Sequence, residues 1–412
     1  MFRKILKWSL KILIGTLLFF GILYGGFHLW EYASGGKYVE YLTANSETVP
    51  IEETFSYETI GKDLADKKLI LVGEIHGFDE PSKFDVDFFK YLHQNHQVNH
   101  YLAELDFVQA TLLNDFLKTG DQKTLSAVLA KWAVEQGRNN QDYFDKYLSL
   151  HQYYQEQSEG NKFEFIGIDR IQDRSLLQEY IQSLAPENTL EPSETDDMGA
   201  VLMQIEQLSA VFSQSPDTLF LLSHLKSNVQ YVQEKLNREE VLFKNFSHLY
   251  KECNLEDHKL YGFFGLYHVF QYRINGNHPL ASKIRESDLG LADKILSINI
   301  MMNDSYMVMP SNQLPEFMSD GSDYVKMPVS ADNMLFMYIV GISDFKRMTP
   351  EHHKSLIKMN SDDSPYSNTI RLSQTIQLLP VTDKMEMTDE GKPYAQYTLF
   401  VRNSDWAEPM KK

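Results

Sequence analysis

The sequence predicts an α/β fold in which a mainly parallel central sheet is flanked by helices, behind one N-terminal transmembrane helix. Short, continuous apolar runs such as 69–72 alternate along the chain with helical patterns such as 83–94. Continuous apolar runs are typical of strands buried on both faces, and their alternation with amphipathic helices is typical of parallel sheets. Residues 12–30 contain no Asp, Glu, Lys or Arg, and about 20 apolar residues are enough to cross a bilayer.

The apolar segment 12–30 also predicts how the chain is arranged about a membrane. The positive side chains that precede it are Arg3, Lys4, Lys7 and Lys11. The positive-inside rule then places the N-terminus in the cytoplasm and the rest of the chain outside. We therefore expect a single-pass membrane protein in which residues 1–35 form a cytoplasmic stub and anchor and residues 36–412 form one extracytoplasmic domain. A cleaved signal peptide is the alternative.

The net charge of the chain argues against a nucleic-acid partner. The chain has 412 residues with 57 Asp and Glu against 39 Lys and Arg, which gives a formal net charge of −18. An acidic chain of this kind lacks the basic surface that binds nucleic acid, so we expect no nucleic-acid partner. The single cysteine, Cys253, allows neither an internal disulfide nor a cysteine-rich zinc site.

Strands and helices follow from local patterns along the domain. Residues 69–72 are uniformly apolar and end at Gly73, whereas 83–94 repeats aromatic and apolar residues at helical spacing after Pro81. By the same criteria the predicted strands are 69–72, 99–105, 163–168, 259–264, 295–301, 334–340 and 397–401. The predicted helices are 83–94, 107–118, 122–136 and 141–156.

Two kinds of segment lie outside this alternation. Residues 172–255 show helical patterns with many charges and are predicted to be a mostly helical insertion that forms a lid or side wall. Residues 303–330 and 344–395 contain many Ser, Asp, Pro and Met without clear periodicity, and we expect them to be surface connections.

Ionisable side chains follow four of the predicted strands. Glu74 and His76 come directly after the first strand, and the other strand-end groups are Glu104, Asp169 and His268. Sites in α/β proteins lie at the carboxyl ends of the strands, so neighbouring strands would bring these groups into one cleft. Such a cluster can take a proton from water, with a carboxylate orienting the imidazole, or can bind a divalent metal. The alternative for each residue is a charged side chain that leaves the sheet for solvent.

The motif Gly73-Glu74-Ile75-His76-Gly77 resembles the signature of the erythromycin esterase family and its relatives, the ChaN-type haem-binding proteins and the TraB/Tiki proteins. The wider group shares two Gly-x-x-His motifs and an intervening Glu. In this sequence they are similar to Gly73–His76, Glu104 and Gly265–His268. The resemblance covers roughly residues 67–300, and the motifs occur in the same order.

The resemblance implies a different function for each branch. In the esterase branch a histidine near the first motif acts as general base on water, with glutamate support and no obligatory metal. The Tiki branch implies a divalent-metal site for peptide hydrolysis, here His76, Glu104 and His268, and the ChaN branch implies haem binding. Esterases typically have a second histidine beside the one in the second motif, whereas this sequence has Tyr267 before His268. Tyr267 is then a haem ligand, an oxyanion donor or a packed aromatic ring.

The leading hypothesis is a membrane-anchored hydrolase of small-molecule or peptide substrates that opens an ester, lactone or amide bond without a required cofactor. His76 is the general base, Glu74 and Glu104 orient it or the water, and His268 is the acid or stabilises the oxyanion. The remaining candidates contact substrate: Asp169, Tyr267 and Arg285, of which Arg285 binds an anionic group. The alternatives are a haem- or ligand-binding protein on the same scaffold and a Tiki-like metal-dependent peptidase.

Overall fold

This computed structural model describes residues 2–132, 137–186, 189–190, 197–316, 321–379 and 385–410. Its strands are β1 (Ser46–Pro50), β2 (Leu69–Glu74), β3 (Val98–Ala103), β4 (Glu164–Gly167), β5 (Lys259–Gly265), β6 (Ile295–Asn303), β7 (Ser305–Pro310), β8 (Tyr324–Val329), β9 (Asp332–Asn333), β10 (Met337–Ile339), β11 (His353–Lys358), β12 (Thr375–Ile376) and β13 (Tyr397–Arg402).

The helices alternate with the strands in the first half of the domain. They are α1 (Phe2–Ser34), α2 (Gly36–Ala44), α3 (Glu58–Gly61), α4 (Glu80–His96), α5 (Phe107–Thr119), α6 (Gln122–Leu129), α7 (Gln141–Glu156), α8 (Arg174–Leu184), α9 (Met198–Val211), α10 (Pro216–Gln233), α11 (Arg238–Glu252), α12 (Leu280–Glu286) and α13 (Ile342–Met348).

The central sheet has the strand order β1-β11-β13-β6-β2-β5-β3-β4. The six neighbouring strands from β13 to β4 are parallel, whereas β11 runs antiparallel to both of its neighbours. The predicted α/β class with a mainly parallel sheet is therefore confirmed. Strands β2, β5, β3 and β4 are consecutive in the sheet, so their carboxyl ends lie side by side along one edge.

Both faces of the sheet are covered by helices. Ile70 and Val72 of β2 pack into a core with α4, α5 and α7, whereas Leu69 and Leu71 pack into a second core with α11 and α12. Successive side chains of a strand point to opposite faces, so a strand in which every residue is apolar needs helices on both sides. This explains why β2 is buried along its whole length.

The region predicted to be a helical insertion consists of α8 to α11, between β4 and β5. Helices α8, α9 and α10 share an apolar core of their own that includes Leu177, Ile205 and Leu225. Helix α11 instead packs on the sheet through Leu242 and Phe246. The amino end of α11 therefore lies near the edge where the parallel strands end.

Several predictions of secondary structure were wrong. The helix predicted for 122–136 ends at Leu129 as α6, and residues 133–136 lie outside the described part. The region 303–330 contains a hairpin of β7 and β8 rather than only connections. Its strands are part-exposed on both sides, so their apolar residues do not alternate cleanly. The strand predicted for 334–340 is limited to β10, which belongs to a small three-stranded sheet.

The region 344–395 also contains a strand of the central sheet, β11. Its sequence gave no strand signal because a lysine, Lys354, lies in its buried portion. The Lys354 ammonium is 2.5 Å from the Glu80 carboxylate, and both side chains are almost fully buried. An ion pair of this kind allows a charged residue to occupy an interior position that a sequence pattern assigns to the surface.

Helix α1 is the one helix of the described chain that is long and apolar enough to cross a membrane, over Lys7–Ser34, a test that an N-terminal signal sequence also passes. Its carboxyl end packs on the domain through Glu31, which is fully buried. The Glu31 carboxylate accepts hydrogen bonds from the hydroxyl groups of Tyr338 and Ser343 and from the backbone N–H of Gly341. The helix is thereby fixed to the domain that follows it.

Candidate functional site

Four strand ends place their ionisable groups at one edge of the sheet. Glu74 is the last residue of β2 and pairs in register with Gly265, the last residue of β5. Glu104 follows the end of β3 directly, and Asp169 follows β4, where its backbone N–H donates to the carbonyl of Leu105. These strands are neighbours, which brings together Glu74, His76, Glu104, Asp169 and His268 as the sequence predicts.

Glu74 and His76 form a carboxylate–imidazole pair. Oε1 of Glu74 lies 3.0 Å from Nδ1 of His76. Glu74 is on the same face of β2 as Ile70 and Val72, the face that packs against α7. From that helix the hydroxyl of Tyr143 donates to the same carboxylate oxygen. The Glu74 side chain is 2% exposed and that of His76 21% exposed, so a buried carboxylate supports an imidazole that reaches solvent.

The second nitrogen of His76 points to the backbone of Gly265. A Cβ atom placed on Gly265 would lie 3.6 Å from Nε2 of His76, 3.6 Å from Cδ2 of His268 and 3.7 Å from Oε2 of Glu104. The absence of a side chain at Gly265 therefore leaves space where both histidines and the Glu104 carboxylate converge. After Gly265 the chain turns through a short 3-10 helix, Leu266–Val269, that carries His268.

Glu104 is held by cations and by the backbone. It accepts hydrogen bonds from Nη2 of Arg238 at 2.5 Å and from the N–H of Gly265 at 2.7 Å. Nη1 of Arg138 lies 3.8 Å from the same carboxylate, and Nη2 of Arg138 donates to the Glu104 carbonyl at 3.1 Å. Burial alone raises the pKa of Glu104, but Arg138, the two histidines and Arg238 together hold it well below its usual range. Glu104 is therefore an anion at every physiological pH.

Asp169 is a second carboxylate that contacts Arg238, in addition to Glu104. Nε of Arg238 donates to the two oxygens of Asp169 at 3.1 and 3.2 Å, and the Gln172 side chain donates to Oδ2 at 2.8 Å. Because Asp169 is only 1% exposed and engaged on both oxygens, it orients Arg238. Its contact with substrate stays a prediction.

His268 lies between two carboxylates. Its Nδ1 is 2.6 Å from Oε1 of Glu239 and its Nε2 is 3.7 Å from Oε1 of Glu104. Burial lowers the pKa of His268, but its contact with Glu239 and the charge of Glu104 raise it above the usual value. Near neutral pH, His268 is therefore more readily protonated than a histidine in water.

Of the two remaining candidates for substrate contact, Tyr267 lies beside His268 and Arg285 lies elsewhere. The ring of Tyr267 packs against Phe270 in a small apolar cluster, which agrees with a packed aromatic. Arg285 pairs with Glu390 at 2.6 Å and lines a cavity together with Ile295 and Tyr397, the first residues of β6 and β13. That cavity is at the amino edge of the sheet, so the structure does not bring Arg285 to the other site residues.

Four side chains of the cluster were missed in the sequence: Arg138, Tyr143, Arg238 and Glu239. Tyr143 lies in the predicted helix 141–156 and is buried, and its hydroxyl also contacts Glu74. Arg238 and Glu239 begin α11, where a run of charges is typical of a solvated helix face. A weaker similarity of the sequence to the esterase branch is at Glu135, which lies outside the described residues.

The residues proposed for a divalent metal, His76, Glu104 and His268, do not fit one in this arrangement. Both oxygens of Glu104 already accept from Arg238 and from Gly265, and His268 contacts two carboxylates. Within the described part of the chain no group of three His, Cys, Asp or Glu side chains is arranged to hold a metal ion. We derive no catalytic step through a metal.

The fold and the site together define an α/β protein with a carboxylate–histidine cluster at the carboxyl edge of a parallel sheet. No protein-family profile matches the chain, and no curated protein matches its sequence. Among solved structures, a protein from Bacillus cereus matches with a TM-score of 0.62 at 13% identity, covering 92% of this chain and 99% of that one.

Two further structures have names that indicate a function. A variant of the erythromycin esterase EreC in its open conformation matches with a TM-score of 0.56 at 12% identity, over 89% of this chain and 99% of the esterase. A succinoglycan biosynthesis protein matches with a TM-score of 0.57 at 12% identity, over 90% and 98%. This chain therefore has the fold of the erythromycin esterase, as the resemblance in its motifs implied.

Proposed function

We propose that this protein is a hydrolase in which His76 is the general base that activates water for cleavage of an ester, lactone or amide bond. The observation that carries the proposal is the contact of 3.0 Å between Nδ1 of His76 and the buried carboxylate of Glu74. A carboxylate at this position favours the tautomer with the proton on Nδ1, which leaves Nε2 as the acceptor. A partly exposed imidazole with an oriented tautomer is the usual general base of hydrolytic sites.

The other groups of the cluster divide the remaining tasks. Nε2 of His76 takes a proton as the water oxygen attacks the carbonyl carbon, and the carbonyl oxygen becomes negatively charged. The raised pKa of His268 favours its protonated form. In that form it either stabilises that oxygen or donates a proton to the leaving oxygen or nitrogen as its bond to carbon breaks. Glu104 is excluded as a base because its pKa is held well below the usual range.

The test is a comparison of kcat/KM for wild-type protein and His76→Ala on a panel of chromogenic esters, lactones and amides. We expect the variant to lose roughly 100-fold or more in kcat/KM on any substrate that the wild type turns over. His100→Ala is the matched control, since His100 pairs with Glu164 at 3.1 Å but lies towards the amino ends of β3 and β4. Equal turnover by His76→Ala and the wild type would exclude His76 as the base.

We also propose that α1 anchors the protein in a membrane with residues 36–412 on the outer side. The apolar span of α1 and the four positive residues before it support this orientation. Cys253 provides a direct test because it is the one cysteine of the sequence and its side chain is exposed. A membrane-impermeant maleimide should label it in intact cells, with Cys253→Ser as the unlabelled control. Labelling that requires permeabilised cells would show the opposite orientation.

A further inference from the structure

A cavity of about 570 Å³ adjoins the histidine cluster. Its volume is within the range of roughly 300–1,000 Å³ that is typical of small-molecule sites. The wall on the side of the cluster is formed by Arg138, Asp169 and Arg238, and both arginines form ion pairs with the Glu104 carboxylate. The opposite wall comes from Tyr231, Val232 and the turn between α10 and α11.

The side chains of this cavity are predominantly basic. Among the described residues that line it, six are cationic and one, Asp169, is a carboxylate. The cationic residues are Lys131, Arg138, Arg170, Arg174, Lys235 and Arg238. Asp169 is already neutralised by Arg238. This concentration is unexpected in a chain with a formal net charge of −18. Clefts lined by one sign of charge concentrate ligands of the opposite sign.

Some cations of the cavity form ion pairs with protein carboxylates and others do not. Arg138 and Arg238 contact Glu104, and Lys131 lies 3.8 Å from Asp173. Arg170 and Lys235 are exposed, and neither forms an ion pair with any residue that the structure describes. Two cations with no carboxylate partner therefore face the same space as two arginines that reach the catalytic cluster.

A second cavity adjoins the first on the side of His268. It is about 680 Å³ in volume and shares Arg170, Leu236 and Arg238 with the first. Its other wall includes Tyr267 and Glu239, and Glu239 contacts the His268 imidazole. A ligand held by Arg170 can thus extend past Arg238 to Glu239, the residue that contacts His268.

We propose that the basic cavity binds a multiply charged anionic group of the substrate, phosphoryl or carboxylate, and so places the neighbouring ester, lactone or amide carbonyl beside His76. This inference rests on the proposed hydrolase function and specifies its substrate class. Guanidinium groups are suited to the task because they bind both phosphate and carboxylate oxygens in a bidentate manner. Arg170 and Lys235, rather than Arg285, are thus the cations that we assign to anion binding.

The first experiment measures binding by isothermal titration calorimetry on the full chain in a neutral detergent, with inorganic pyrophosphate and citrate as probes. We expect at least one probe to bind, and Arg170→Gln/Lys235→Gln to weaken that binding by about tenfold or more. Binding by pyrophosphate alone would indicate a phosphoryl group, and binding by citrate alone a carboxylate group. Both substituted residues are exposed, so the variant is expected to fold.

Lys226→Gln is the matched control, because Lys226 is an exposed lysine of α10 that pairs with Glu206 outside the cavity. It should bind the probes as the wild type does. The inference is overturned if neither probe binds, or if the Arg170→Gln/Lys235→Gln variant binds as tightly as the control. His76→Ala separates the two proposals: it should still bind the probe while losing turnover. Anion binding in a protein without turnover on any substrate would contradict only the hydrolase function.

Discussion

The carboxylate of Glu74 lies between the hydroxyl of Tyr143 and the imidazole of His76, and the same oxygen contacts both groups. Glu74 ends β2 and Tyr143 is in the first turn of α7. The pairing of sheet and helix therefore fixes the orientation of the histidine. The pKa of Tyr143 is raised well above 10, chiefly by burial and then by the charge of Glu74, so its hydroxyl remains a donor.

Tyr143→Phe is expected to reduce kcat by roughly tenfold or more, since a hydrogen bond to a buried charged group contributes about 1.5–3 kcal/mol. The loss should fall on kcat rather than on KM, because Tyr143 supports the Glu74 carboxylate and not the substrate. Steady-state kinetics measure kcat and KM separately. Tyr147→Phe, one turn further along α7, is the control because Tyr147 is not hydrogen-bonded to Glu74. An unchanged kcat in Tyr143→Phe would argue against a positioning role.

The sheet edge was predictable from sequence because it depends on local patterns. Strands β2, β3, β4 and β5 each contain a short apolar run, and a polar residue follows each run within a few positions. Parallel strands end at one edge, so the grouping of Glu74, Glu104 and His268 followed from the assignment of the strands. That inference assumed that these strands are neighbours, and the order β2-β5-β3-β4 in the sheet confirms the assumption.

The supporting side chains could not be predicted in the same way. Tyr143 is 69 residues from Glu74, and Arg238 is 134 residues from Glu104. No local spacing connects such pairs, because they meet only when α7 and α11 pack on opposite faces of the sheet. Strand β11 was missed for a different reason. Its buried residue Lys354 is charged and pairs with Glu80, so the strand lacks the apolar pattern by which a buried strand is recognised.

His268→Gln tests the charge of the second histidine through stability. Glu104, Glu239 and Arg238 face His268, and their combined effect with burial is to raise its pKa above the usual value of about 6.5. A raised pKa in the folded state means that the stabilisation is fully present below about pH 6.5 and is lost as pH rises through the folded-state pKa. The unfolding midpoint of wild type relative to His268→Gln should therefore be highest near pH 5.5 and decline towards pH 9. A difference independent of pH would show that folding does not shift the pKa of His268.

Lys146→Met is expected to destabilise the fold by about 3–5 kcal/mol, because it leaves a buried carboxylate without its cation. Nζ of Lys146 lies 2.5 Å from Asp85, and neither side chain is more than 2% exposed. Tyr101 and Tyr261 also donate to Asp85, so the charge sits among aromatic rings beneath the site. Chemical denaturation measures the change in the free energy of unfolding.

The control for that measurement is Lys226→Met, which removes an exposed pair with Glu206 and should cost less than about 1 kcal/mol. The double variant Asp85→Asn/Lys146→Met should recover part of the loss, because no uncompensated charge remains. A loss for Lys146→Met as small as that for Lys226→Met would mean that Asp85 is neutral in the folded protein.

Treatment with a chelator is expected to leave hydrolysis unchanged. A metal held by His76, Glu104 and His268 would need Glu104 oxygens that are accepting from Arg238 and Gly265. The cationic Arg238 would also lie beside the added metal charge, which weakens metal binding. The measurement is the initial rate after dialysis against EDTA, followed by addition of Zn²⁺, Mn²⁺ or Co²⁺. A rate that is lost on dialysis and restored by one of these ions would contradict the prediction. It would mean that Arg238 moves away from Glu104 in the active enzyme. His76 would then be a metal ligand rather than the general base.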